Sequence, residues 1–239
     1  MKRQIEMLRG ALSEAQRVTV LTGAGISAES GVPTFRGDGG LWRNHRPEEL
    51  ATPESFRRNP KLVWEFYTWR RALISHVHYN EAHRALAELE NKVTDFTLIT
   101  QNIDGLHLMA GSKNLIEIHG NIWKVRCSKC QQVTLEAEVE LGPLPVCEEC
   151  GGLLRPHVVW FGEMLDPELL QQALTASDQC DVMLVVGTSA VVQPAASFPI
   201  QAKHAGALVA EINIEETPLS SLTDISLIGK AGDIIPQLL

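Results

Sequence analysis

Apolar residues along this 239-residue chain fall into two alternating periods. Four short runs rich in β-branched residues, Val18–Thr22, Phe96–Thr100, Asp181–Gly187 and Ala207–Ile212, read as buried strands. Between them apolar positions recur at helical spacing, as Ile5, Leu8, Leu12 and Ala15 do near the amino end. Strand and helix in alternation predict βα units around a parallel sheet. Two stretches interrupt the pattern. Residues 38–80 form a helical stretch rich in Pro, Arg and Trp, and residues 122–155 hold four of the five cysteines, so both read as inserts. No internal repeat or low-complexity segment is evident.

Each predicted strand ends in polar or glycine-rich residues. The ends are Gly23-Ala24-Gly25-Ile26, Gln101-Asn102-Ile103-Asp104-Gly105, Gly187-Thr188-Ser189, and Asn213 after Glu211-Ile212. In an open parallel sheet ligands bind beyond the carboxyl ends of the strands, so these segments are expected to share one crevice. The first has the spacing G-x-G-x-x-A of a turn that receives a dinucleotide pyrophosphate at a helix N-terminus. Gly23 is expected to take a positive φ, Gly25 to let the backbone approach a phosphate, and Ala28 to allow close helix-to-strand packing. A glycine turn required only by sterics remains the alternative.

Composition narrows the function classes. With 29 acidic against 21 basic side chains the net charge is −8, which disfavours sequence-blind nucleic-acid binding and favours cationic partners such as lysine-rich protein segments. A hydrophobic fraction of 44% is that of a globular protein. No run approaches the length of a membrane span, and Glu6 and Glu14 sit in a first segment unlike a targeting peptide, so the expected setting is the cytoplasm, with a monomer as default.

Cys127-x2-Cys130 and Cys147-x2-Cys150 have zinc-ribbon spacing. Each pair supplies two thiolates from one turn, and four thiolates leave no open position for water, which makes one structural Zn²⁺ the expected occupant. Reduced thiols or two disulfides are the alternatives. Cys180, at an apolar helix-to-strand junction, reads as a buried small hydrophobe.

Gly23-Ala24-Gly25-Ile26-Ser27 with Gly31-Val32-Pro33-Thr34-Phe35-Arg36, then Gln101-Asn102-Ile103-Asp104, His119-Gly120, the cysteine quartet and Gly187-Thr188-Ser189 together resemble the sirtuins, NAD-dependent protein-lysine deacylases. The resemblance spans nearly the whole chain, from residue 18 to Gly229-Lys230-Ala231-Gly232 and Pro236, in the family's order. It implies an α/β fold with a Rossmann-like NAD-binding domain formed by residues 1–37, 81–121 and 156–239. The helical insert 38–80 and the zinc module 122–155 would form a small domain, with substrate entering between the two. An acidic residue about 20 positions after the glycine turn, expected of a hydride-transfer enzyme, is present only as Glu48 and Glu49 within the helical insert.

The resemblance also assigns roles. His119 matches the histidine that activates the ribose hydroxyls, and an imidazole suits proton removal at neutral pH; the other seven histidines have no such sequence context. Asn102 and Asp104 match residues that hold the nicotinamide ribose and carboxamide, Gln101 a ribose contact, and Ile103 belongs to the same segment. Gly23, Ala24, Gly25 and Ile26 would take the pyrophosphate. Gly187, Thr188, Ser189, Asn213, Ile214, Glu215 and the backbone at Ala231 would hold the adenosine half. Phe35 and Arg36 match a loop over the nicotinamide pocket, and Trp42 joins the cofactor set. Val158, Trp160, Phe161 and Gly162 match a segment that pairs as a strand with the substrate peptide.

The helical insert points to the acyl group. In Trp64-Glu65-Phe66-Tyr67-Thr68-Trp69-Arg70-Arg71, Tyr67 and Arg70 are three apart and share a helix face with Val63 and Ile74. A guanidinium on a partly apolar stripe, beside a phenol that adds one hydrogen bond, suits a carboxylate-ended acyl chain. This Tyr-x-x-Arg resembles the sirtuin subclass that removes succinyl and malonyl groups; an Arg reaching solvent or pairing with a Glu is the other reading. The expected activity is removal of succinyl, malonyl and also acetyl groups from lysine, yielding nicotinamide and O-acyl-ADP-ribose. Protein mono-ADP-ribosyl transfer and a non-catalytic NAD-binding module are the alternatives.

Overall fold

The structure is a computed structural model that describes residues 1–33 and 45–239, the side chains of Pro47 and Glu48 excepted. In chain order the amino-terminal part runs α1 (Lys2–Glu14), β1 (Arg17–Thr22), α2 (Ala24–Ala28), α3 (Pro47–Leu50), α4 (Pro53–Arg58), α5 (Pro60–Ser75), α6 (Glu81–Glu90), β2 (Asp95–Thr100) and α7 (Leu106–Met109). There follow β3 (Leu115–Glu117), β4 (Gly120–Cys127), β5 (Val133–Leu135), β6 (Leu154–Val158), α8 (Pro167–Gln179), β7 (Val182–Val186), α9 (Phe198–His204), β8 (Leu208–Asn213), β9 (Ile225–Ile228) and α10 (Ala231–Ile234).

Helix starts are written locally in the sequence. Thr52, Asn59 and Asp166 each cap a helix whose first residue is proline, their side chains accepting backbone N–H groups two or three residues on. Asn80 caps α6 in a capping box completed by the His83 side chain.

A six-stranded parallel sheet has the order β3-β2-β1-β7-β8-β9. Side chains alternate across it, as a strand requires. Val18, Val20, Val182, Leu184, Val186, Ala210 and Ile212 pack on one face with α1 and α6, whereas Leu21, Met183, Val185 and Val209 pack on the other with Ala173 of α8 and Phe198 of α9. Burial on both faces explains why these strands read as continuous apolar runs. The direction of winding reverses between β1 and β7, so the carboxyl ends of these two strands open the crevice where ligands bind in such sheets.

The two sequence inserts share a separate apolar core. Phe56, Val63, Trp64, Phe66 and Tyr67 of α4 and α5 pack with Ile122, Val125 and Val158 of the three-stranded sheet β5-β4-β6. Arg71 joins the two through Nε to the Ile122 carbonyl and Nη1 to that of Glu138, each at 2.8 Å, with its guanidinium over the Trp64 and Trp123 rings. Among the described residues no helix is long and apolar enough to cross a membrane.

Candidate active site

The four loops expected to share a crevice do so, at the point where the sheet reverses. The Gly25 N–H donates to the Gly187 carbonyl at 2.7 Å, and the Gly23 N–H to that of Val186 at 3.0 Å. Gly187 has φ +60°, and a Cβ there would strike the Ile26 nitrogen; a Cβ on Gly25 would lie 2.8 Å from the Gly187 Cα and oxygen. These two glycines are therefore needed for backbone contact between the β1 and β7 tips. Two sequence expectations change. Gly23 has φ −131°, so its need for glycine is steric: a Cβ would lie 2.8 Å from that of Thr188. Ala28 is exposed, whereas Ile26 and Ser27 are buried under the turn.

Side chains knit the tips together. Gln101 Nε2 donates to Thr188 Oγ1 at 2.9 Å, and Asn213 Nδ2 to the Thr188 carbonyl at 3.0 Å. Asn102 is buried and donates from Nδ2 to the Gly23 carbonyl at 3.0 Å and to Ser27 Oγ at 3.1 Å. His119 follows β3, and its Nδ1 lies 3.1 Å from the Gln101 carbonyl. That carbonyl can only accept, so Nδ1 carries the proton and Nε2 keeps a free lone pair. Burial pushes the His119 pKa down, against the Gln101 hydrogen bond, leaving a neutral imidazole at pH 7. Asp104 is 5% exposed, and burial raises its carboxyl above the usual value despite hydrogen bonds from the Leu106 N–H and Ser27.

A second layer was not legible in the sequence. His83 and His107 are 0% and 2% exposed, their ring centroids 4.7 Å apart. His83 Nδ1 accepts from the Asn80 N–H at 3.3 Å, and its Nε2 faces Ser27 Oγ at 3.4 Å, so the capping box of α6 supports the serine that Asn102 contacts. His107 Nε2 lies 3.0 Å from Thr22 Oγ1, which donates to Thr100 Oγ1 at 2.8 Å. These two histidines support the site from behind, which the sequence expectation did not include. The pattern Asn80-x-x-His83 ahead of an apolar helix was the available signal.

Burial lowers His83 to about 4 and His107 well below its usual value. An unfolded histidine binds its proton near pH 6.5, so below that value the unfolded state holds more protons and folding weakens as pH falls, by about 1.4 kcal/mol per pH unit for each buried histidine. Urea unfolding at pH 7 and pH 5 is expected to show a clearly lower midpoint at pH 5; an unchanged midpoint would contradict the burial of these rings.

On α5, Tyr67 and Arg70 face the shared core together with Val63 and Ile74, as the spacing predicted. Arg70 is 8% exposed, with its guanidinium 5.9 Å from the Phe66 ring centroid. Burial lowers its pKa, and Tyr67 and Asp104 act against that. The Tyr67 phenol is pushed up to about 12, chiefly by burial, and remains protonated. Trp160 Nε1 donates to its oxygen at 2.9 Å. Arg155 stacks 3.4 Å from the centre of the Trp160 ring and pairs with both Glu163 oxygens. In the same segment Val158 is buried at the end of β6, whereas Phe161 is half exposed and Gly162 has φ +85°.

The cysteine quartet is also assembled. The Sγ atoms of Cys127, Cys130, Cys147 and Cys150 lie within 4.8 Å of one another. Four thiolates at the usual Zn–S distance around a tetrahedral ion stand about 3.8 Å apart; the Cys130–Cys147 separation is 3.8 Å and that of Cys127–Cys150 is 3.4 Å. Backbone N–H groups of Cys130 and Lys129 point at Cys127 Sγ, which favours the thiolate. A Cβ on Gly152 would stand 2.8 Å from Cys127 Sγ, so glycine keeps this pocket open. The cluster fits one structural zinc ion.

The family model of the Sir2 family matches residues 23–194. The chain belongs to the Sir2 family. Within it, the chain is 55% identical to an NAD-dependent protein deacylase of Aquifex aeolicus over 220 residues, 92% of each chain. A solved Sir2 homolog–NAD complex superposes with a TM-score of 0.93 at 49% identity, covering 98% of this chain and 91% of the other. A solved Sir2–p53 peptide–NAD⁺ complex superposes with a TM-score of 0.87 at 32% identity, covering 98% and 96%.

In this Sir2-family chain the sequence-predicted residues divide by location. Gly23, Ala24, Gly25, Ile26, Gln101, Asn102, Asp104, His119, Gly187, Thr188 and Asn213 lie at or beside the converging strand ends. Ile103 is buried in the insert core. Ser189, Ile214 and Glu215 are exposed on the outer loops, and Ala231 is buried at the start of α10. Phe35, Arg36 and Trp42 lie outside the described residues. Metal analysis of the purified protein is expected to return one zinc per chain, and chelation or Cys127→Ser to lower the melting temperature, because zinc binding is coupled to folding of the module. A metal-free protein with an unchanged melting curve would contradict the structural role.

Proposed function

We propose that this chain removes acid-ended acyl groups, succinyl and malonyl, from protein lysines, together with acetyl. The coarser activity follows from its family: it is an NAD-dependent protein deacylase. The observation that carries the finer reading is the buried pair Tyr67 and Arg70, a protonated phenol and a guanidinium side by side among aromatic residues. A guanidinium there meets a carboxylate with charge-assisted hydrogen bonds, and the phenol adds a neutral one. An acetyl group carries no charge for the guanidinium to meet.

Bound NAD supplies an electrophilic ribose carbon, a nicotinamide leaving group and the hydroxyls that receive the acyl group. The strand-to-helix turn Gly23 to Ile26 takes the pyrophosphate, with the Gly23 and Gly25 N–H groups committed to the Val186 and Gly187 carbonyls and so shaping the turn, and Gly187, Thr188, Ser189, Asn213, Ile214, Glu215 and Ala231 line the adenosine side. Asn102, braced by Gly23 and Ser27, orients the ribose, and Asp104 holds the carboxamide, with Gln101 and Ile103 beside them. His119 accepts a ribose hydroxyl proton at Nε2, since Nδ1 is committed to Gln101. The substrate peptide lies extended along Val158 to Gly162, between a large domain of residues 1–37, 81–121 and 156–239 and a small one of residues 38–80 and 122–155.

Stoichiometry tests this scheme. Nicotinamide released is expected to equal lysine freed, with one O-acyl-ADP-ribose formed per turnover. Nicotinamide release accompanied by ADP-ribosylated protein and no freed lysine would select ADP-ribosyl transfer instead.

A further inference from the structure

The bond between Trp160 and Tyr67 has a direction that hydrogen placement cannot alter. An indole N–H only donates, so the Tyr67 oxygen must accept it, at 2.9 Å. One acceptor site of the phenol is thereby filled and its own proton is left for another partner. Tyr67 is 2% exposed, so a water partner for that proton is scarce, and Arg70, one helical turn on, is a donor only. An acyl carboxylate reaching Arg70 would find the phenol proton already presented.

Trp160 is in turn held on several sides. Arg155 stacks on its ring at 3.4 Å, Phe56 packs at 5.2 Å, and its own N–H in the main chain donates to Glu163 Oε2 at 2.9 Å. Arg155 also donates to the Val158 carbonyl at 2.9 Å and is bidentate to Glu163. Swinging the indole away would lose its stack on the Arg155 guanidinium, which is itself held by Glu163, and its bond to Tyr67. Resting on the acid-ended reading above, we propose that Trp160 is a positioning residue for acyl selectivity: its indole N–H fixes the Tyr67 hydroxyl as a donor to the substrate carboxylate.

The test is a double-mutant cycle, Trp160→Phe against Tyr67→Phe, with succinyl- and acetyl-lysine peptides of one sequence. Trp160→Phe is expected to lower the succinyl-to-acetyl ratio of kcat/KM about tenfold, mainly through the succinyl KM, the effect of one neutral hydrogen bond. Tyr67→Phe is expected to do the same, and the double variant no more than Tyr67→Phe alone, since Trp160 acts through the hydroxyl. If Trp160→Phe does not fold, 3-benzothienylalanine placed at position 160 keeps both rings, lacks the N–H and is expected to give the same ratio. Equal losses on the two peptides, or effects that add fully, would overturn the role of Trp160 while leaving acid-ended specificity standing. A wild-type enzyme inactive on the succinyl peptide but active on the acetyl one would overturn both.

Discussion

His119→Ala is expected to reduce deacylation by about a thousandfold while NAD still binds, because a positioned general base contributes roughly 10²–10⁴ in rate. The imidazole sits after β3 with Nδ1 turned to the Gln101 carbonyl at 3.1 Å, which fixes both ring orientation and tautomer. The glycine turns at β1 and β7 and the Asn213–Thr188 bond are held by contacts that do not include this ring, so the cofactor grip survives its loss. Burial depresses the His119 pKa, so in the wild type the base is competent above a pKa lower than 6.5, and kcat/KM falls only on the acid side of that value. Calorimetry of NAD binding beside peptide kinetics measures both halves of this expectation. A variant that turns over at the wild-type rate would remove His119 as the base.

The second large effect concerns Arg70. Arg70→Met keeps the apolar stem and deletes the charge, leaving a succinyl carboxylate buried without its partner. Removing one member of a buried pair costs about 3–5 kcal/mol, roughly 10²–10⁴ in kcat/KM on the succinyl peptide. The acetyl group carries no charge to be stranded, so deacetylation is expected to change far less. Steady-state kinetics on matched peptides reads the difference. Equal losses on the two would show that Arg70 supports the helix packing instead of recognising a carboxylate.

How far the sequence discloses this molecule follows from where its interactions run. The central strands β1, β2, β7 and β8 were readable because burial on both faces demands unbroken apolar runs, and their tips because glycines and polar residues interrupt those runs. The zinc cluster was readable because each half is confined to one C-x-x-C turn. Strand β3 is only three residues long and β9 four, too short for a periodicity to show. The layer behind Asn102 joins residues far apart in the chain: Ser27 to His83 across 56 positions and Thr22 to His107 across 85. Trp160 meets Tyr67 across 93. Local pattern carries no trace of such pairings. At Gly25 the residue type was anticipated, but the contact that requires it is with the Gly187 backbone, a partner supplied by the fold.

The most direct test of the central claim is mass spectrometry of one lysine peptide carrying acetyl, malonyl or succinyl, incubated with the purified protein with and without NAD. Loss of all three groups is expected only when NAD is present, with succinyl and malonyl removed at higher kcat/KM than acetyl. Removal of acetyl alone, with the succinyl and malonyl peptides untouched, would contradict it.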